Sequence, residues 1–254
     1  MTQRGQRVVG IIQARMGSTR LPGKVLLDLC GETVLAKVVR RLSRASRIER
    51  MVVATTTSCA DAAVVGESRR LGVEYFRGSE DDVLDRYCRA AKAFSAEAVV
   101  RITCDCPLID PTLVDEVIRQ FSDQNADFAC NVLPRMYPRG LDTEVFTNAA
   151  LDKASKLADL PHQREHVTPL FYERRDLFRF VAVPGELDYS SYRWTLDTPE
   201  DLELIRAIYS YFNDRADFGW REVLALMEQS PDLANLNAHI TQRPVRQSTV
   251  NSRT

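Results

Sequence analysis

The stretch VVGIIQARMGSTRLPGK, residues 8–24, decides the fold. Its first part, Val8–Gln13, is a short and largely β-branched apolar run without alternation, which is typical of a strand buried on both faces of a parallel sheet. A loop with two glycines follows, and residues 33–42 then show helical periodicity. A strand, a glycine-bearing loop and a helix in this order predict the first unit of a parallel α/β sheet, with a ligand held at the loop.

The same pattern continues through the first half of the chain. Continuous apolar runs predict two more buried strands, at residues 51–55 and Ala98–Thr103. The predicted helices are residues 33–42, residues 80–94 with Ser79 as the cap, and a helix capped by Asp110 that begins at Pro111. This alternation of strands and helices predicts a mostly parallel central sheet with helices on both faces.

The second half is less regular. Strands are predicted at residues 142–146, 177–183 and 192–196. Helices are predicted at residues 148–156, at residues 163–174, from Pro199 behind the cap Thr198, and at Trp220–Gln229. Because the sequence has no repeat and no linker, we expect a single domain at residues 1–232. A polar tail at residues 233–254, which has no acidic residue, is expected to pack loosely or to be disordered.

Composition indicates an ordinary globular protein. The 254 residues include 34 basic and 35 acidic side chains, so charge gives no general reason to expect a nucleic acid or a membrane surface as the partner. The apolar run near the start is too short for a signal sequence or a membrane span, and we expect a cytoplasmic protein. Cys104 and Cys106 have no further ligands at metal-binding spacing, so we expect the six cysteines to be reduced and structural.

The loop at residues 14–24 matches neither of two familiar phosphate-binding motifs. It contains no GxGxxG fingerprint of dinucleotide-binding folds. A Walker A motif has four residues between its glycines and a Ser or Thr after its Lys. Here five residues separate Gly17 from Gly23, and Val25 follows Lys24. Both familiar interpretations therefore fail.

The composition of this loop still favours an anionic ligand. Gly17 and Gly23 permit tight turns that leave backbone N–H groups free for an anion. Arg15, Arg20 and Lys24 bring three cations to the same loop, and arginine can bind two phosphate oxygens at once. The loop therefore predicts a polyphosphate site.

Two aspartates are placed to hold a metal ion beside this loop. Asp105 follows the strand predicted at Ala98–Thr103, where an acid reaches the ligand crevice of an α/β sheet. Asp197 also follows a predicted strand, although its motif is equally good helix-start chemistry. Magnesium takes one or two carboxylates together with substrate phosphates, so these two acids are the candidates. The other acids nearby are better explained as caps or solvated first-turn residues: Asp81, Asp82, Asp85, Asp110 and Asp201.

The segment QARMGSTRLPGK closely resembles the N-terminal signature of the cytidylyltransferase family. That family includes the acylneuraminate and 3-deoxy-manno-octulosonate cytidylyltransferases and the spore-coat polysaccharide synthesis proteins, of which the last branch is the nearest match. The resemblance continues, in the family's order, through VVATTTSCAD, FRGSEDDVLDRY, RITCDCPLID, RGLDTEVF, REHVTP and RWTLDTPEDL. It implies a three-layer, GT-A-like nucleotide-diphospho-sugar transferase fold and a homodimer.

The resemblance also implies an activity. A member of this family transfers CMP from CTP to a sugar or sugar acid and releases pyrophosphate, for polysaccharide or glycoconjugate synthesis. An aspartate at each of two motifs ligates magnesium there, which implies this role for Asp105 and Asp197, and catalytic roles for Arg15, Lys24 and Asp105 are expected. The expected nucleotide contacts are Gln13, Ala14, Arg15, Met16, Gly17, Ser18, Arg20, Lys24, Thr55, Thr56, Thr57 and Asp105.

The base and the acceptor are less well specified. The threonines at residues 55–57 have short hydrogen-bonding side chains that can contact the edge of a pyrimidine base. The sequence of this loop differs from the ATDD motif of the octulosonate branch. Cytosine is the expected base, with uracil still open. The expected acceptor contacts are Arg139, Asp142, Arg164, Glu165 and His166. Among them, His166 can accept a proton and Arg164 can bind a carboxylate.

Three other functions compete with this interpretation. A glycosyltransferase of the same fold usually carries a metal-binding DxD motif at a strand end, where this chain has Asp105-Cys106-Pro107. A catalytically inactive nucleotide-sugar-binding protein would not need both candidate aspartates and Lys24. An unrelated phosphate-loop ATPase is disfavoured by the failed Walker spacing.

Overall fold

A computed structural model of the protein describes residues 7–215 and 217–242. Its main feature is a seven-stranded sheet with the order β5-β4-β1-β6-β8-β7-β9. The strands are β1 Val8–Gln13, β4 Arg50–Thr56, β5 Glu74–Gly78, β6 Ala98–Thr103, β7 Phe128–Cys130, β8 Glu144–Thr147 and β9 Phe180–Ala182, with a small separate hairpin of β2 Asp28–Leu29 and β3 Glu32–Thr33. Within the large sheet, β8 pairs antiparallel with both of its neighbours and the other pairs are parallel. The predicted, mostly parallel sheet is confirmed.

Helices cover both faces of this sheet. They are α1 Val34–Leu42, α2 Ala62–Arg70, α3 Val83–Ala93, α4 Pro111–Asp123, α5 Asn148–Leu157, α6 Pro161–His166, α7 Pro169–Glu173, α8 Pro199–Tyr211, α9 Trp220–Gln229 and α10 Pro231–Asn235. Successive residues of β1 alternate between two cores, because Val8 and Ile12 pack with α1, α4, α8 and α9, while Val9 and Ile11 pack with α3, α5 and α7. The predicted three-layer architecture is therefore confirmed.

Several helices begin where their capping residues predict. Asp110 accepts hydrogen bonds from Thr112 N at 2.9 Å and Leu113 N at 3.0 Å, and Pro111 is the first residue of α4. Thr198 caps α8 in the same way, with Pro199 at its start. The cap predicted for α3 is wrong, because Asp82 accepts from Asp85 N at 2.9 Å and the helix begins at Val83.

Two predicted elements in the second half differ from the structure. The helix predicted at residues 163–174 is divided into α6 and α7 by a γ-turn at Val167, where φ is +71° and Thr168 N donates to His166 O at 2.8 Å. The strand predicted at residues 192–196 is an irregular segment with a single bridge between Arg139 and Arg193. Its backbone is used elsewhere, because Leu196 N donates to Asp105 O at 2.7 Å.

The chain continues to pack beyond the predicted end of the domain. Leu233, Ala234 and Leu236 pack against the core, and Asn237 is 2% exposed. The expectation of a loose tail is therefore wrong for residues 233–237, because apolar contacts and a buried amide hold them, whereas residues 238–242 are mostly exposed. Residues 243–254 of the predicted tail lie outside the described residues.

Two expectations about cysteines and membranes can be compared with the structure. All six cysteines are free thiols, and Cys104 and Cys106 are buried. In residues 7–215 and 217–242, no helix combines the length and the apolar character needed to cross a bilayer.

Candidate active site

The candidate site lies where the order of the sheet reverses. From β1, the chain continues to β4 on one side of the sheet, while β6 lies on the other side. The carboxyl ends of β1 and β6 therefore flank the topological switch point, where open α/β sheets bind their ligands. The loop at residues 14–24 leaves β1 at this point, and Asp105 lies two residues after the end of β6.

Lys24 lies at the centre of this crevice between the two candidate aspartates. Its Nζ is 3.0 Å from Asp105 Oδ2 and 2.8 Å from Asp197 Oδ1, and it also donates to Leu196 O at 2.9 Å. Only 13% of the Lys24 side chain is exposed. The structure therefore brings together three residues that are 81 and 173 positions apart in sequence.

The charges of this cluster stabilise one another. Burial alone would raise the pKa of Asp105, but the Lys24 ammonium and hydrogen bonds from Thr103, Lys24 and Cys106 lower it to about 2. Burial alone would lower the pKa of Lys24, yet the charges of Asp105 and Asp197 raise it well above its ordinary value. Both Lys24 and Asp105 are therefore ionised throughout the neutral pH range.

Asp197 also joins two arginines to the cluster. Its Oδ2 lies 3.1 Å from Arg20 Nη2 and 3.1 Å from Arg193 Nη2. Arg193 in turn makes a two-pronged contact with Asp201, at 2.9 Å from each of its Nε and Nη2 atoms. Asp201 was expected only as a helix cap; it does cap α8, and it also fixes Arg193. The sequence offered no pattern that singled out Arg193.

The basic loop is held in its shape by its own backbone and by one buried acid. Met16 O accepts hydrogen bonds from Ser18 N at 3.0 Å and from Gly23 N at 3.1 Å, and Gly23 has a φ of +66°, which glycine adopts without strain. Asp61, which is 2% exposed, accepts from Met16 N at 2.6 Å through Oδ1. Its Oδ2 accepts from Thr56 N at 3.3 Å and from the Thr56 hydroxyl. The carboxylate thus ties the loop after β1 to the end of β4.

Sequence reasoning missed Asp61. The only signal was an acid at the end of the motif VVATTTSCAD, next to the predicted strand. Its role depends on the pairing of β1 with β4, which local patterns do not reveal.

We expect Asp61→Asn to weaken binding of the CTP that the family resemblance implies by about tenfold. In either orientation the amide NH₂ would face a backbone N–H, that of Met16 or that of Thr56, so one side of the link between the loop and β4 would be lost. Calorimetric titration of the nucleotide measures this loss. Asp127→Asn is the matched control, since Asp127 also accepts from a backbone N–H, that of Arg179 at 2.9 Å, but at a distant strand. If CTP affinity falls equally in both variants, or in neither, Asp61 does not shape the nucleotide site.

The residues expected to contact the base lie at the ends of β1 and β4. Thr55 and Thr56 are the last two residues of β4, and both are fully buried. The Thr56 hydroxyl is bound to Asp61, whereas Thr55 Oγ1 and Gln13 Oε1 are buried atoms that find no hydrogen-bond partner within the described part of the chain. Buried polar atoms are rarely left unpaired, which makes Gln13, the half-buried residue of the two, the better candidate for a ligand contact than Thr55 at 0% exposure. Thr57 N is engaged by Gly78 O at 3.0 Å.

The other loop residues have different surroundings. Ala14 is 1% exposed and continues the pairing of β1, with its N–H donating to Ala54 O at 3.2 Å. The Arg15 side chain is 39% exposed, and its Nη1 lies 3.9 Å from Glu80 Oε1. Gly17 lies next to that arginine. A Cβ added at Gly17 would lie 3.9 Å from Arg15 Cδ and 3.6 Å from Glu80 Oε1. Arg15 therefore remains free to move toward an anion.

Some of the residues expected to contact the acceptor already have partners within the protein, and others do not. Asp142 is held by Arg135, whose Nη1 and Nη2 lie 2.7 and 2.8 Å from its carboxylate oxygens. Arg135 was not expected from the sequence. Arg139, which is half-buried, makes no side-chain hydrogen bond or ion pair with any residue that the structure describes. Burial, reinforced by the charge of Arg135, lowers the pKa of Arg139. Arg139 is thus a half-buried cation that makes no direct ion pair within the described residues, although the charge of Asp142 acts on it.

Arg164 already has hydrogen-bond partners within the protein. Its Nε donates to Asp82 Oδ2 at 2.7 Å, and its Nη1 donates to the carbonyls of Ser155 and Ala158, both at 3.2 Å. These contacts fasten α6 to the beginning of α3. Arg139 is therefore better placed than Arg164 to bind a carboxylate of an acceptor.

His166 keeps one ring nitrogen without a partner. Its Nε2 is buried and has no hydrogen bond to the described residues. Burial lowers the pKa of His166 below its ordinary value, against the raising effect of the neighbouring Glu165. The imidazole is therefore neutral at neutral pH and can accept a proton. The γ-turn at Val167 fixes the backbone beside it.

The donors at this site suit magnesium. Asp105 and Asp197 present hard carboxylate oxygens that converge on one cation, the Lys24 ammonium. No group of three or more His, Cys, Asp or Glu side chains in the described ranges could hold a metal by itself. Magnesium prefers one or two carboxylates completed by phosphates and water, so two acids beside a basic loop fit its requirements.

Comparisons with known proteins agree with this geometry. A family model described as cytidylyltransferase matches residues 9–231. The spore coat polysaccharide biosynthesis protein SpsF of Bacillus subtilis is 35% identical over 89% of this chain and 96% of its own length. A 3-deoxy-manno-octulosonate cytidylyltransferase of Bradyrhizobium sp. is 30% identical over 80% of this chain and 85% of its own length. A solved cytidylyltransferase structure from Leptospira borgpetersenii has a TM-score of 0.88 at 36% identity, covering 94% of this chain and 100% of that one.

Proposed function

Because the chain belongs to the cytidylyltransferase family and is a nucleotidyltransferase, we propose that it transfers CMP from CTP to a hydroxyl of a sugar or sugar acid and releases pyrophosphate. The observation that carries the proposal is the cluster of Lys24, Asp105 and Asp197 beneath a loop with two more cations, at the switch point of the sheet. A triphosphate needs cations and backbone N–H groups, and a metal needs carboxylates, and both sets are present in one crevice.

The basic loop would bind the triphosphate. Arg15, Arg20 and Lys24 would neutralise its charge, and the backbone N–H of Gly17 would donate to a phosphate oxygen. The backbone N–H of Ser18, which was also expected to contact a phosphate, already donates to Met16 O at 3.0 Å. Asp105 and Asp197 would hold Mg²⁺, which when bound supplies charge neutralisation at the phosphates. Since Lys24 now contacts both acids, it is placed to exchange these contacts for the phosphate that carries the developing charge.

The acceptor side would orient the attacking hydroxyl. Arg139 would bind an anionic group of the acceptor, because it is a half-buried cation beside the paired Arg135 and Asp142. His166 Nε2 would take the proton of the hydroxyl, as its oxygen forms a bond to the α-phosphorus and the bond from that phosphorus to pyrophosphate breaks. Most of the acceleration would come from positioning and charge neutralisation.

The setting of the reaction is proposed from the name of one relative. We place it in the synthesis of a surface polysaccharide or glycoconjugate, because the Bacillus subtilis relative is named for spore coat polysaccharide biosynthesis. We also propose a cytoplasmic homodimer, and light scattering of the purified protein measures its mass directly.

The proposal is tested by nucleotide binding followed by turnover. With Mg²⁺ present, CTP should raise the melting temperature more than UTP, ATP or GTP, because a ligand stabilises the folded state in proportion to its saturation. Pyrophosphate release from CTP is then measured across neutral sugars and sugar acids. A preference for another nucleotide would change the substrate, and binding of CTP without pyrophosphate release from any acceptor would favour a binding protein.

The pKa of His166 predicts how kcat/KM falls at acidic pH, which is the acid limb of its pH profile. Since burial holds its pKa below the ordinary 6.5, kcat/KM should stay level from neutral pH to below 6.5 and then fall as the imidazole becomes protonated. His166→Gln should lose about 10²-fold in kcat/KM and show no such limb. His162→Gln is the control, because His162 is instead bound to Glu173 at 2.7 Å and should keep the limb. An unchanged limb in His166→Gln would remove His166 from the reaction.

A further inference from the structure

The C-terminal strap, defined as residues 231–242, begins with α10, which packs against α8 and α9. Leu233 and Leu236 contribute apolar contacts to the core, while Asn237 is 2% exposed. A fully buried amide in a short segment requires polar partners, because an unpaired one is costly.

Asn237 finds these partners in the motif that carries Asp197. Its Nδ2 donates both hydrogens, one to Arg193 O at 2.8 Å and one to Asp201 Oδ1 at 2.8 Å. The strap therefore contacts the backbone of Arg193 and the carboxylate that holds the Arg193 side chain.

Arg193 connects the strap to the candidate site. Its guanidinium spans Asp201, at 2.9 Å from Nε and from Nη2, and Asp197, at 3.1 Å from Nη2. Its remaining nitrogen, Nη1, donates to Gln242 Oε1 at 2.6 Å, so a second residue of the strap also binds Arg193. Only 6% of the Arg193 side chain is exposed. The guanidinium thus has one orientation, and it binds the oxygen of Asp197 that Lys24 does not use.

We propose that Asn237 is a positioning residue for nucleotidyl transfer, which holds Arg193 and through it orients the Asp197 carboxylate toward Lys24 and the nucleotide. This inference rests on the proposed role of Asp197. Asn237, rather than the strap as a whole, then belongs to the active-site architecture, because its hydrogen bonds go to Arg193 and Asp201. Groups that orient a ligand or a catalytic carboxylate from behind commonly matter for activity even though they never touch the substrate.

Asn237→Asp is the informative variant, because it keeps the volume and replaces a donor by an acceptor that faces Arg193 O and Asp201. Leu233→Ala is the matched control, since it weakens the same strap by removing an apolar contact. We expect Asn237→Asp to lower kcat for CTP-dependent pyrophosphate release by about tenfold, while Leu233→Ala stays within about twofold of the wild type at a similar loss of melting temperature.

A double-mutant cycle with Arg193→Lys tests the route. If Asn237 acts through Arg193, Asn237→Asp should lower kcat by less than about twofold further in the Arg193→Lys background. Independent, multiplicative losses would overturn the proposal, as would equal effects of Asn237→Asp and Leu233→Ala on kcat.

Crystal structures separate this inference from the proposed function. If the wild type releases no pyrophosphate from CTP, the proposed function fails on its own. The positioning role is then decided by the structure of Asn237→Asp, in which the contact between Arg193 Nη2 and Asp197 Oδ2 should be lost. An unchanged contact would overturn the inference, whatever the activity.

Discussion

Replacing Lys24 by methionine is expected to lower kcat/KM for CTP-dependent pyrophosphate release by about 10²–10³-fold, because the chain would lose a fixed cation at the position where phosphate charge develops. Lys24 Nζ contacts Asp105 at 3.0 Å and Asp197 at 2.8 Å, so the variant also leaves two carboxylates facing each other without the cation between them. We therefore expect a lower melting temperature together with the kinetic loss.

The control for this prediction is Lys37→Met. Lys37 is also a buried lysine, with 1% of its side chain exposed, and it pairs with Glu32 at 3.3 Å over the ring of Tyr209, away from the crevice. This variant should lose stability while kcat/KM stays within about twofold of the wild type, since distant sites act independently. Calorimetric titration of CTP completes the measurement. Wild-type CTP affinity and turnover in Lys24→Met would remove Lys24 from the nucleotide site.

Asp105→Asn is expected to reduce Mg²⁺-dependent turnover by about 10³-fold, which corresponds to about 4 kcal/mol in the barrier. The amide preserves the shape of the side chain but removes the charge that holds Lys24 and that would hold the metal. Electron paramagnetic resonance with Mn²⁺ as the probe should show weaker binding in the presence of CTP, which is a readout independent of turnover. Asp115→Asn is the control, because Asp115 binds Ser46 N at 2.8 Å and Arg47 N at 2.9 Å outside the site.

The same variant predicts a pH dependence of stability. In the folded protein the pKa of Asp105 is lowered from 3.8 to about 2, so its ionised form stabilises the fold above pH 3.8, and this contribution is lost as the pH falls through about 2. The difference in melting temperature between the wild type and Asp105→Asn should therefore shrink between these two pH values. A difference that stays constant over this range would mean that Lys24 does not hold the Asp105 charge.

Much of the fold and part of the site follow from local patterns in the sequence. The strands β1 and β6 are continuous apolar runs, and Asp110 and Thr198 mark helix starts because a cap and a following proline act within one turn. The basic loop after β1 could be identified because glycines and cations in a strand-to-helix connection have few other uses. Asp105 could be singled out because strand ends of a parallel sheet form the ligand crevice.

Two predicted elements failed for different reasons. The helix predicted at residues 163–174 contains Pro169, which lacks a backbone donor and disfavours a helical residue before it, so the sequence itself signalled a break. The structure divides this segment at the γ-turn at Val167, and α7 begins at Pro169. The segment at residues 192–196 has the composition of a strand, but its backbone serves Asp105 and Lys24 instead of a neighbouring strand. There the surroundings of the site override local preference.

The sequence by itself therefore determined the layers of the fold, the basic loop after β1 and the family, because these depend on residue types within one element. Tertiary structure alone decided which side chains act together. The pairing of β1 with β4 puts Asp61 under the loop, and its pairing with β6 puts Lys24 between Asp105 and Asp197. Asn237 reaches the same carboxylate through Arg193, from a segment that local patterns describe only as a polar tail. Burial makes each of these polar contacts specific, because a buried charge or amide must find its partner wherever the chain brings one.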